Sequence, residues 1–540
     1  MKIVKKSILL LTTSVLLGTL SSCFWKKKDN STTKDPLVIP TVEVDTLNVS
    51  LPTLPTRNTG AIRSDENYEY IDLYELSDFH GAVEYEPNHE SGAYIGLPRL
   101  ATFLEQKRSL NQGGTLVLSS GDMLQGSADS NLTRGYMVNY CMQYMGFDAM
   151  ALGNHEFDWT DAWIKKNAEL HYGDYSIPYL GANITKNGAL PEFLRKSTVV
   201  TRGSYKIGVI GVIGNLLENS ILKSCLEGYD FSNYKDIVDA EAARLRSEET
   251  CDAVVLLAHD GAKDIELVSG VDAVFGGHEH DNVIATVNAT IPSLATLNYG
   301  QSVAHIALKF DKNSKAFVDA NDHDLIQMNT VCESLTEDAN VRNIMNQFAP
   351  AINQIKNIKL GTCDEKLAYN KALKNICTTT LFNEAVEFAD TVNEIDSSKI
   401  VISYHNVNGG IRDDIAAGDI TYGNVYRSFP FDNEIIMIKL SGSEMANAIS
   451  LLNSTGLGLY KIFDNKSYFK ADEDYYMVST DFLALSEKYL GKVKTFTDAD
   501  LIRTGKVVRD EVAARIYELD NIKNSEWAAD KTCYVIPLSF

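Results

Sequence analysis

The sequence predicts two layered α/β units joined by a helical segment, and three observations support this fold class. Short runs rich in Val, Ile, Leu and Tyr alternate from Asn67 onward with longer stretches of helical length, which is typical of layered α/β domains. The chain is 44% hydrophobic and 23% charged, so it can bury large cores. Its 540 residues exceed the usual size of one domain severalfold, and this length favours more than one domain.

The charge balance excludes one broad class of function. The chain has 50 Lys and Arg against 72 Asp and Glu, for a net charge of -22. General binders of nucleic-acid polymers need clustered cations to hold the phosphate backbone, so we expect no such partner. An anionic substrate would require a metal ion or a local basic pocket.

The N-terminus predicts an exported protein. Three lysines within the first six residues precede a largely apolar run, Ser7 to Leu20, which is too short to span a bilayer and is typical of a secretion signal. The run leads into Leu20-Ser21-Ser22-Cys23, which resembles a bacterial lipobox. We therefore expect cleavage after residue 22, lipidation of Cys23 and anchoring to the outer face of a bacterial membrane. The alternative is a plain signal peptide with an accidental cysteine.

The segment that follows the signal peptide predicts a flexible tether over residues 23–65. It is rich in Ser, Thr, Asn and Pro and has little apolar periodicity, a composition that is typical of linkers. Removal of residues 1–22 takes away three Lys and no acid, so it would change the net charge from -22 to -25.

Six apolar runs predict the strands of the first domain, which we place at residues 66–330. Their near-continuous apolar character indicates strands covered on both faces. The runs are Tyr70–Leu76, Thr115–Leu118, Ala149–Leu152, Lys206–Ile213, Ala253–Leu257 and Val271–Phe275.

A helical linker is predicted over residues 331–360. Apolar residues recur there at helical spacing, from Val341 to Ile355, and Pro350 is expected to interrupt or kink the helix. The remaining residues, 361–540, are enough for one smaller α/β domain.

Polar clusters follow five of the six predicted strands. The carboxyl ends of strands in an open α/β sheet converge on one crevice, so these side chains are expected to meet. In chain order the clusters contain Asp78 and His80, then Asp122, then Asn154, His155 and Asp158, then His259, and finally His278 and His280.

The ligand types in these clusters predict a metal centre. A lone Asp after a strand is usually a turn or cap residue, and a lone His is usually a surface or core group. Five of the ten His residues lie in the clusters, however, and coincidence does not account for that. Imidazole, carboxylate and amide ligands suit Mn, Zn, Fe or Co. A carboxylate that bridges two such ions would create a two-metal hydrolytic site.

The eight cysteines do not suggest a further site. The sequence contains no Cys-x-x-Cys, so neither a thiolate zinc site nor a redox pair is indicated. Seven cysteines remain once Cys23 is lipidated, and an odd number excludes complete internal pairing. A Cys363–Cys377 bridge stays open as an alternative to buried thiols.

Taken together, the clusters resemble the ordered motifs of calcineurin-like metallophosphoesterases. The motifs are Asp-Phe-His-Gly at 78–81, Gly-Asp at 121–122, Gly-Asn-His-Glu-Phe-Asp at 153–158, the His of 258–261 and Gly-Gly-His-Glu-His at 276–280. More closely, they resemble the 5′-nucleotidase and 2′,3′-cyclic-nucleotide phosphodiesterase family. The resemblance implies a β-sandwich flanked by helices, followed by a C-terminal nucleotide-recognition domain.

The resemblance also implies roles for these residues at two divalent metal ions. One ion would take Asp78, His80, Asp122 and His280, and the other would take Asp122, Asn154, His259 and His278. Asp122 would bridge the two ions. His155 would stabilise charge on the transferring phosphoryl group, and Asp158 would orient it.

The same resemblance implies substrate-binding residues in the C-terminal domain. Asn408, Gly410 and Arg412 lie in Asn-Gly-Gly-Ile-Arg at 408–412, where Arg412 would bind phosphate. Phe431 and Phe482 match two aromatic residues that would stack on a nucleobase. Without the resemblance, two Phe residues would be read as core.

Three departures from the family pattern leave the substrate open. Val407 replaces the leading Asn of the Asn-Gly-Gly-Gly-Ile-Arg motif, and Lys371 or Lys374 would have to stand in for an earlier phosphate-binding Arg. A Gly-Gly-Asp-Gly segment is replaced by Ser486-Glu487-Lys488-Tyr489. Because the catalytic motifs are intact, phosphoester hydrolysis is expected more firmly than nucleotide specificity.

The sequence therefore predicts an exported dimetal phosphohydrolase that converts extracellular nucleotides, foremost 5′-monophosphates, to nucleoside and phosphate. Two alternatives remain within enzymology, a 2′,3′-cyclic-nucleotide phosphodiesterase and a nucleotide-sugar hydrolase on the same site. A third is a non-catalytic nucleotide-binding surface lipoprotein. The oligomeric state is left open.

Overall fold

The first domain is a sandwich of two β-sheets. A computed structural model describes residues 35–89, 92–392, 394–407, 409–454, 459–460 and 469–528. The strands of this domain, in chain order, are β1 (Arg63–Ser64), β2 (Tyr68–Glu75), β3 (Thr115–Ser119), β4 (Ala149–Ala151), β5 (Tyr179–Leu180), β6 (Ile184–Lys186), β7 (Ser197–Arg202), β8 (Tyr205–Ile213), β9 (Tyr229–Phe231), β10 (Ala253–His259), β11 (Ala273–Gly276), β12 (Val283–Val287), β13 (Ile291–Ala295), β14 (Ser302–Asp311) and β15 (Phe317–Gln327).

The two sheets place the predicted strands side by side. One sheet runs β15-β14-β2-β3-β4-β5, with β1 paired to β2, and the other runs β12-β13-β11-β10-β8-β7. The pairs β2–β3, β3–β4, β8–β10 and β10–β11 are parallel, so each sheet brings the carboxyl ends of its parallel strands to one edge. All six predicted apolar runs are strands.

Apolar side chains fill the space between the sheets and cover their outer faces. Leu73, Leu116, Val209 and Leu257 are among the fully buried residues of the inter-sheet core. The helices of this domain are α1 (Leu97–Leu110), α2 (Ala128–Asn131), α3 (Tyr136–Met145), α4 (Asp161–Ala168) and α5 (Lys235–Ser247). Because both faces of each sheet are covered, the strands are near-continuous apolar runs in the sequence, without alternation of apolar and polar residues.

One long helix, α6 (Ala339–Lys356), lies within the range predicted for the linker. Most of its apolar face packs into the core of the first domain, whereas Ile355 packs into the core of the second. The expectation that Pro350 interrupts this helix was wrong. The helix is 18 residues long and continues through Pro350 without a break, because packing of its apolar face stabilises the helix on both sides of the proline.

The second domain contains eight strands and six α-helices in the described part of the chain, which are, in order, β16 (Lys359–Cys363), α7 (Lys374–Thr391), β17 (Ile400–Ser403), β18 (Gly418–Thr421), α8 (Tyr422–Ser428), β19 (Glu434–Ser441), α9 (Gly442–Ser454), β20 (Leu459–Tyr460), β21 (Asp474–Thr480), α10 (Asp481–Leu485), β22 (Leu501–Val507), α11 (Val508–Leu519), β23 (Asn521–Ile522) and α12 (Asn524–Trp527). The strands form a five-stranded sheet, β20-β17-β21-β19-β22, and a three-stranded sheet, β18-β16-β23. This is the smaller α/β unit that the sequence predicted.

The segment predicted as a tether is attached to the domains over much of its described part. Val44 is buried in the core of the first domain, and Leu37 and Ile39 pack against the core of the second. The Ser50 amide donates to the side-chain oxygen of Gln347 on α6. A free tether through residue 65 is therefore wrong, because apolar contacts fix residues 37–54. The predicted signal peptide and Cys23 lie outside the described residues.

Two further expectations concern covalent and membrane structure. Cys363 and Cys377 are buried free thiols, so the alternative of a bridge between them is wrong. In the described part of the chain, no helix combines the length and the apolar character needed to cross a bilayer.

Candidate metal centre and substrate cavity

The first candidate metal site is formed by Asp78, His80 and His280. Asp78 and His80 follow β2, and His280 follows β11, at the sheet edge where parallel strands end. Their ligand atoms all lie within 4.8 Å of one another. Nε2 of His280 is 3.3 Å from Oδ1 of Asp78 and 3.2 Å from Nε2 of His80. The three side chains therefore converge on one point.

The second candidate site is formed by Asp122, His259 and His278, whose ligand atoms also lie within 4.8 Å of one another. Nε2 of His259 is 3.1 Å from Oδ2 of Asp122. The side-chain oxygen of Asn154 lies 3.2 Å from Nε2 of His259 and 3.0 Å from Nδ1 of His278. All seven residues predicted as metal ligands thus fall into two adjoining groups.

Backbone carbonyls orient two of the imidazoles. Nδ1 of His80 donates to the carbonyl of Gln125 at 3.0 Å, and Nδ1 of His259 donates to the carbonyl of Ser120 at 2.8 Å. A carbonyl only accepts, so Nδ1 carries the proton and Nε2 is left for a metal ion. This second contact is the usual way in which proteins fix metal-binding histidines.

Five of the ligands adopt left-handed backbone conformations. The φ angles are 52° at Asp78, 48° at His80, 54° at Asp122, 72° at His278 and 54° at His280. Residues other than glycine rarely adopt this region, and each instance costs on the order of 1 kcal/mol. Clustered strain of this kind is characteristic of functional sites, and no pattern of residue types in the sequence predicts it.

Gly153 allows the third cluster to approach Asp122. A Cβ atom at position 153 would lie 2.1 Å from Oδ1 of Asp122, so only glycine fits without displacing the carboxylate. The same oxygen accepts a hydrogen bond from the His155 amide at 2.8 Å. The Gly-Asn-His stretch is therefore built around Asp122.

Two supporting residues were not identified from the sequence. The buried carboxylate of Glu156 accepts hydrogen bonds from the amides of Asp122 and Gly153 at 2.9 and 2.8 Å, so it ties two clusters together. The side chain of Asn298 contacts Nδ1 of His280 at 3.1 Å. Glu156 lies within the Gly-Asn-His-Glu-Phe-Asp motif but is not among its predicted ligands, whereas no motif marks Asn298, 18 residues from His280.

The electrostatics of the two groups suit divalent cations. Burial lowers the pKa of His80 to about 3, and burial with nearby His259 lowers the pKa of His278 to about 4. Burial would raise the pKa of Asp78, but hydrogen bonding with His280 and the charge of His259 bring it to about 2. Burial would lower the pKa of His259 as well, but the charge of Asp122 raises it to about 10, so a metal ion bound there would displace that proton. Neutral imidazoles and ionised carboxylates are the protonation states that metal binding requires. The donor set therefore fits divalent metal ions.

His155 and Asp158 form an ion pair beside the metal groups. Nδ1 of His155 lies 2.9 Å from Oδ2 of Asp158, and the two side chains are 16% and 19% exposed. Burial would lower the pKa of His155, but the charges of Asp158 and Asp122 outweigh it and raise that pKa. The pairing of Nδ1 leaves Nε2 of His155 for other contacts.

A cavity of about 190 Å³ joins the two domains at this point. From the first domain it is lined by Asn154, His155, Asp158 and His278, and from the second by Gly410, Arg412, Phe431 and Phe482. The structure thus brings four of the predicted recognition residues to the predicted catalytic pair. Asn408, the fifth, lies outside the described residues.

Phe431 and Arg412 lie close to His155. The ring centroids of Phe431 and His155 are 5.8 Å apart at an interplanar angle of 26°, and the Arg412 guanidinium carbon is 5.2 Å from the Phe431 centroid. The amide group of Asn131 holds this segment by donating to the Pro430 carbonyl at 3.1 Å. Contacts across the domain interface therefore determine where the recognition side chains lie.

The residues that depart from the family pattern differ in whether they line the cavity. Val407 is buried, and the preceding residue, Asn406, lines the cavity instead. Lys371 and Lys374 do not line this cavity, whereas Lys488 and Tyr489 do. The sequence predicts no substrate-binding role for Asn406, because the family motif aligns with the chain from Val407 onward.

Comparison with known proteins agrees with this site. The sequence model described as calcineurin-like phosphoesterase matches residues 73–282, and the model described as 5′-nucleotidase, C-terminal domain, matches residues 359–480. The chain belongs to the 5′-nucleotidase family of metallophosphoesterases. It is a metal-dependent phosphoesterase, and the first match contains every predicted metal ligand.

The similar curated proteins are about a quarter identical to this nucleotidase-family protein over the aligned residues. They include the trifunctional nucleotide phosphoesterase protein YfkN of Bacillus subtilis, 25% identical over 62% of this chain; an apyrase of Tabanus yao, 25% identical over 70%; and the 5′-nucleotidase of Bos taurus, 23% identical over 65%. These matches span 25%, 72% and 65% of the respective relatives. The chain thus spans only a quarter of the Bacillus protein.

Solved structures share the fold. The 5′-nucleotidase precursor of Thermus thermophilus superposes with a TM-score of 0.67 at 19% identity, covering 84% of this chain and 97% of that one. The sulfate thiohydrolase SoxB of the same genus superposes with a TM-score of 0.60 at 16% identity, covering 88% and 96%. The two-domain fold is therefore shared by proteins that are named for different substrates.

Proposed function

We propose that this protein is an exported, lipid-anchored two-metal phosphohydrolase that converts nucleotides, foremost 5′-monophosphates, to nucleoside and phosphate. The observation that carries the proposal is a cavity lined by Asn154, His155 and His278 on one side and by Arg412, Phe431 and Phe482 on the other. One wall offers the groups of a phosphoester-cleaving centre. The other offers a cation and aromatic rings that suit a nucleotide.

Two divalent ions, of Mn, Zn, Fe or Co, would be held by the two ligand groups. Asp78, His80 and His280 would hold one ion, and Asn154, His259 and His278 would hold the other, with Asp122 shared between them. When bound, the ions supply Lewis acidity and activate water for attack on phosphorus. The ligand chemistry supports this assignment because it combines imidazole, carboxylate and amide donors without thiolate.

The chain's own residues bind and orient the phosphoryl group. Asp158 fixes the ring of His155 through Nδ1, so Nε2 contacts a phosphoryl oxygen and stabilises the negative charge that develops there. Arg412 lines the same cavity and offers a planar pair of donors to the phosphate. Phe431 and Phe482 present ring faces to the leaving nucleoside.

Export and anchoring are proposed from the N-terminal sequence. The three early lysines, the short apolar run and Leu20-Ser21-Ser22-Cys23 support a lipoprotein signal. Intact-mass analysis of the native protein, or metabolic labelling with a fatty-acid analogue, tests this. A Cys23→Ala variant that is still labelled and still sediments with membranes would refute the anchor.

A metal-resolved substrate panel tests the activity. The full chain, purified in detergent and treated with EDTA, is reloaded with Mn²⁺ or Zn²⁺ and offered a nucleoside 5′-monophosphate, a 2′,3′-cyclic nucleotide and a nucleotide sugar. Phosphate release is expected foremost from the monophosphate and is expected to stop with EDTA. No hydrolysis of any phosphoester by the metal-loaded protein would contradict the proposal.

The alternatives correspond to other outcomes of the same panel. Relatives named trifunctional nucleotide phosphoesterase and apyrase indicate that substrate choice differs among similar chains. Faster cleavage of the cyclic nucleotide or of the nucleotide sugar would favour a diesterase. Calorimetric binding of nucleotide without product would favour the non-catalytic surface lipoprotein.

A further inference from the structure

The charged side chains of the substrate cavity divide into paired acids and unpaired cations. Asp158 is paired with His155 at 2.9 Å, and Asp432 is paired with Arg134 at 3.1 Å and with Arg509 at 2.5 Å. The acids are therefore already neutralised by the protein. The cations that line the cavity and are not paired with an acid are therefore left to bind an anionic ligand.

Two cations that line the cavity form no ion pair with a described carboxylate. They are Arg412, beside Phe431, and Lys488, in the segment that follows Phe482. The cavity thus presents a free positive charge from each of two loops.

The loop that carries Lys488 is well defined by its own hydrogen bonds. The Lys488 amide donates to the Ser486 hydroxyl oxygen at 3.3 Å, and the Tyr489 amide donates to the Ser486 carbonyl at 3.1 Å. The Tyr489 ring packs on Phe482 with centroids 6.0 Å apart. The loop therefore places Lys488 next to the aromatic side chains at the nucleoside end, whereas the adjacent Glu487 does not line the cavity.

We propose that Lys488 forms a second anion subsite, which selects phosphoesters whose leaving group carries a further phosphate, such as a nucleoside bisphosphate. Arg412 and the metal groups would take the phosphate that is cleaved, and Lys488 would take the phosphate that stays on the nucleoside. Lysine is a flexible point charge that suits an exposed phosphate. This inference rests on the proposed function and specifies its substrate class.

A competition assay tests the subsite. Turnover of p-nitrophenyl phosphate by the Mn²⁺-loaded full chain reports occupancy of the metal centre, and AMP and adenosine 3′,5′-bisphosphate are compared as competitors. The bisphosphate is expected to bind about tenfold more tightly than AMP, since hydrogen bonds to charged groups contribute on the order of one decade in affinity. Lys488→Ala should bring this ratio to about one, and Lys488→Glu should invert it.

Lys492→Ala is the matched control, because Lys492 is an exposed lysine four residues away that does not line the cavity. It should keep the tenfold ratio. An equal affinity of the two nucleotides for the unmodified protein, or a ratio that survives Lys488→Ala, would overturn the subsite.

Failure of the proposed function would look different. In that case the protein cleaves the aryl phosphate but releases no phosphate from AMP. The ratio of the affinities of the two competing nucleotides still measures binding at the Lys488 subsite. If the aryl phosphate is not cleaved, calorimetric titration of the Mn²⁺-loaded protein with the two nucleotides gives the same ratio.

Discussion

The two walls of the substrate cavity are built in different ways. On the metal side, hydrogen bonds within the first domain fix the ligands, as when Glu156 holds the amides of Asp122 and Gly153. On the recognition side, Phe431 is positioned by contacts between domains, including the Asn131 hydrogen bond to Pro430. The metal wall, which carries Asn154, His155 and His278, can therefore form within one domain. The recognition wall, which carries Arg412, Phe431 and Phe482, depends on how the two domains meet.

This difference explains why the departures from the family pattern lie on one side. The left-handed backbone at the metal ligands and the tight contact at Gly153 leave little freedom to exchange residues. Residues 486–489 follow the short helix α10, and of these Lys488 and Tyr489 line the cavity without belonging to either candidate metal group. They can therefore change without disturbing the metal ligands. The following predictions test this division.

Asp122→Asn should have the largest effect. The carboxylate is buried and lies 3.1 Å from His259, and Asp122→Asn removes the charge of the ligand that we propose both ions share. We expect activity to fall on the order of a thousandfold or more, and metal content per chain to fall with it. Metal analysis by mass spectrometry and phosphate release are the measurements. Asp236→Asn, at a side chain that is 99% exposed, should retain both.

His155→Ala should lower kcat on the order of a hundredfold to a thousandfold, the usual cost of removing one group that stabilises transition-state charge. Metal content should stay unchanged, because no predicted ion uses His155. Steady-state kinetics and metal analysis separate this outcome from that of Asp122→Asn. The exposed His171 provides the control variant, His171→Ala. Loss of metal in His155→Ala would place His155 among the ligands instead.

Arg412→Lys should raise KM for nucleotides by about tenfold, because a planar pair of donors is replaced by a single charge. Metal content is expected to remain that of the unmodified protein. Arg195→Ala, at an exposed residue of the first domain that does not line the cavity, should have unchanged kinetics. An unchanged KM in Arg412→Lys would remove Arg412 from phosphate binding.

Asn298→Ala should weaken one metal site selectively. Its side chain contacts Nδ1 of His280, and loss of such a supporting contact typically lowers metal affinity on the order of tenfold. Titration of metal into the EDTA-treated protein should show one weakened step and one unchanged step. Asn313→Ala, in an exposed turn, serves as the control. Two equally weakened steps would mean that Asn298 acts on the whole domain.

His305 should give a smaller, pH-dependent effect on stability alone. Burial would lower the pKa of His305, but hydrogen bonds with Asp324 and Asp72 raise it from 6.5 to about 9. The stabilisation from the charged form is thus complete below pH 6.5 and lost as the pH rises through about 9. The difference in unfolding free energy between the unmodified protein and His305→Gln should shrink on the order of 2 kcal/mol between pH 6 and pH 9.5.

A His305→Gln difference that stays constant over this pH range would mean that His305 is neutral in the folded protein. Urea unfolding at each pH provides the measurement, and His171→Gln provides the control. Because His305 lies outside the cavity, nucleotide KM should not change with it. This outcome would separate stability effects from site effects in the other variants.

Much of the metal wall could be predicted from the sequence. The six apolar runs predicted the strands, and the polar clusters after them predicted a metal centre, because backbone geometry brings the ends of parallel strands together. The family resemblance then selected the seven proposed ligands from those clusters. The recognition wall was less predictable. Asn406 and Lys488 were not assigned to the cavity, since the docking of the second domain decides which of its loop residues face the first.

The sequence by itself determined the family, the two-domain order and the chemistry of the ligands, because these depend on local patterns of residue type. Only the tertiary structure decided that residues 37–54 pack against the domains, that α6 continues through Pro350, and that Lys488 shares a cavity with His155. These features arise from packing between segments distant in the chain. Such contacts leave no periodic signal in either segment alone.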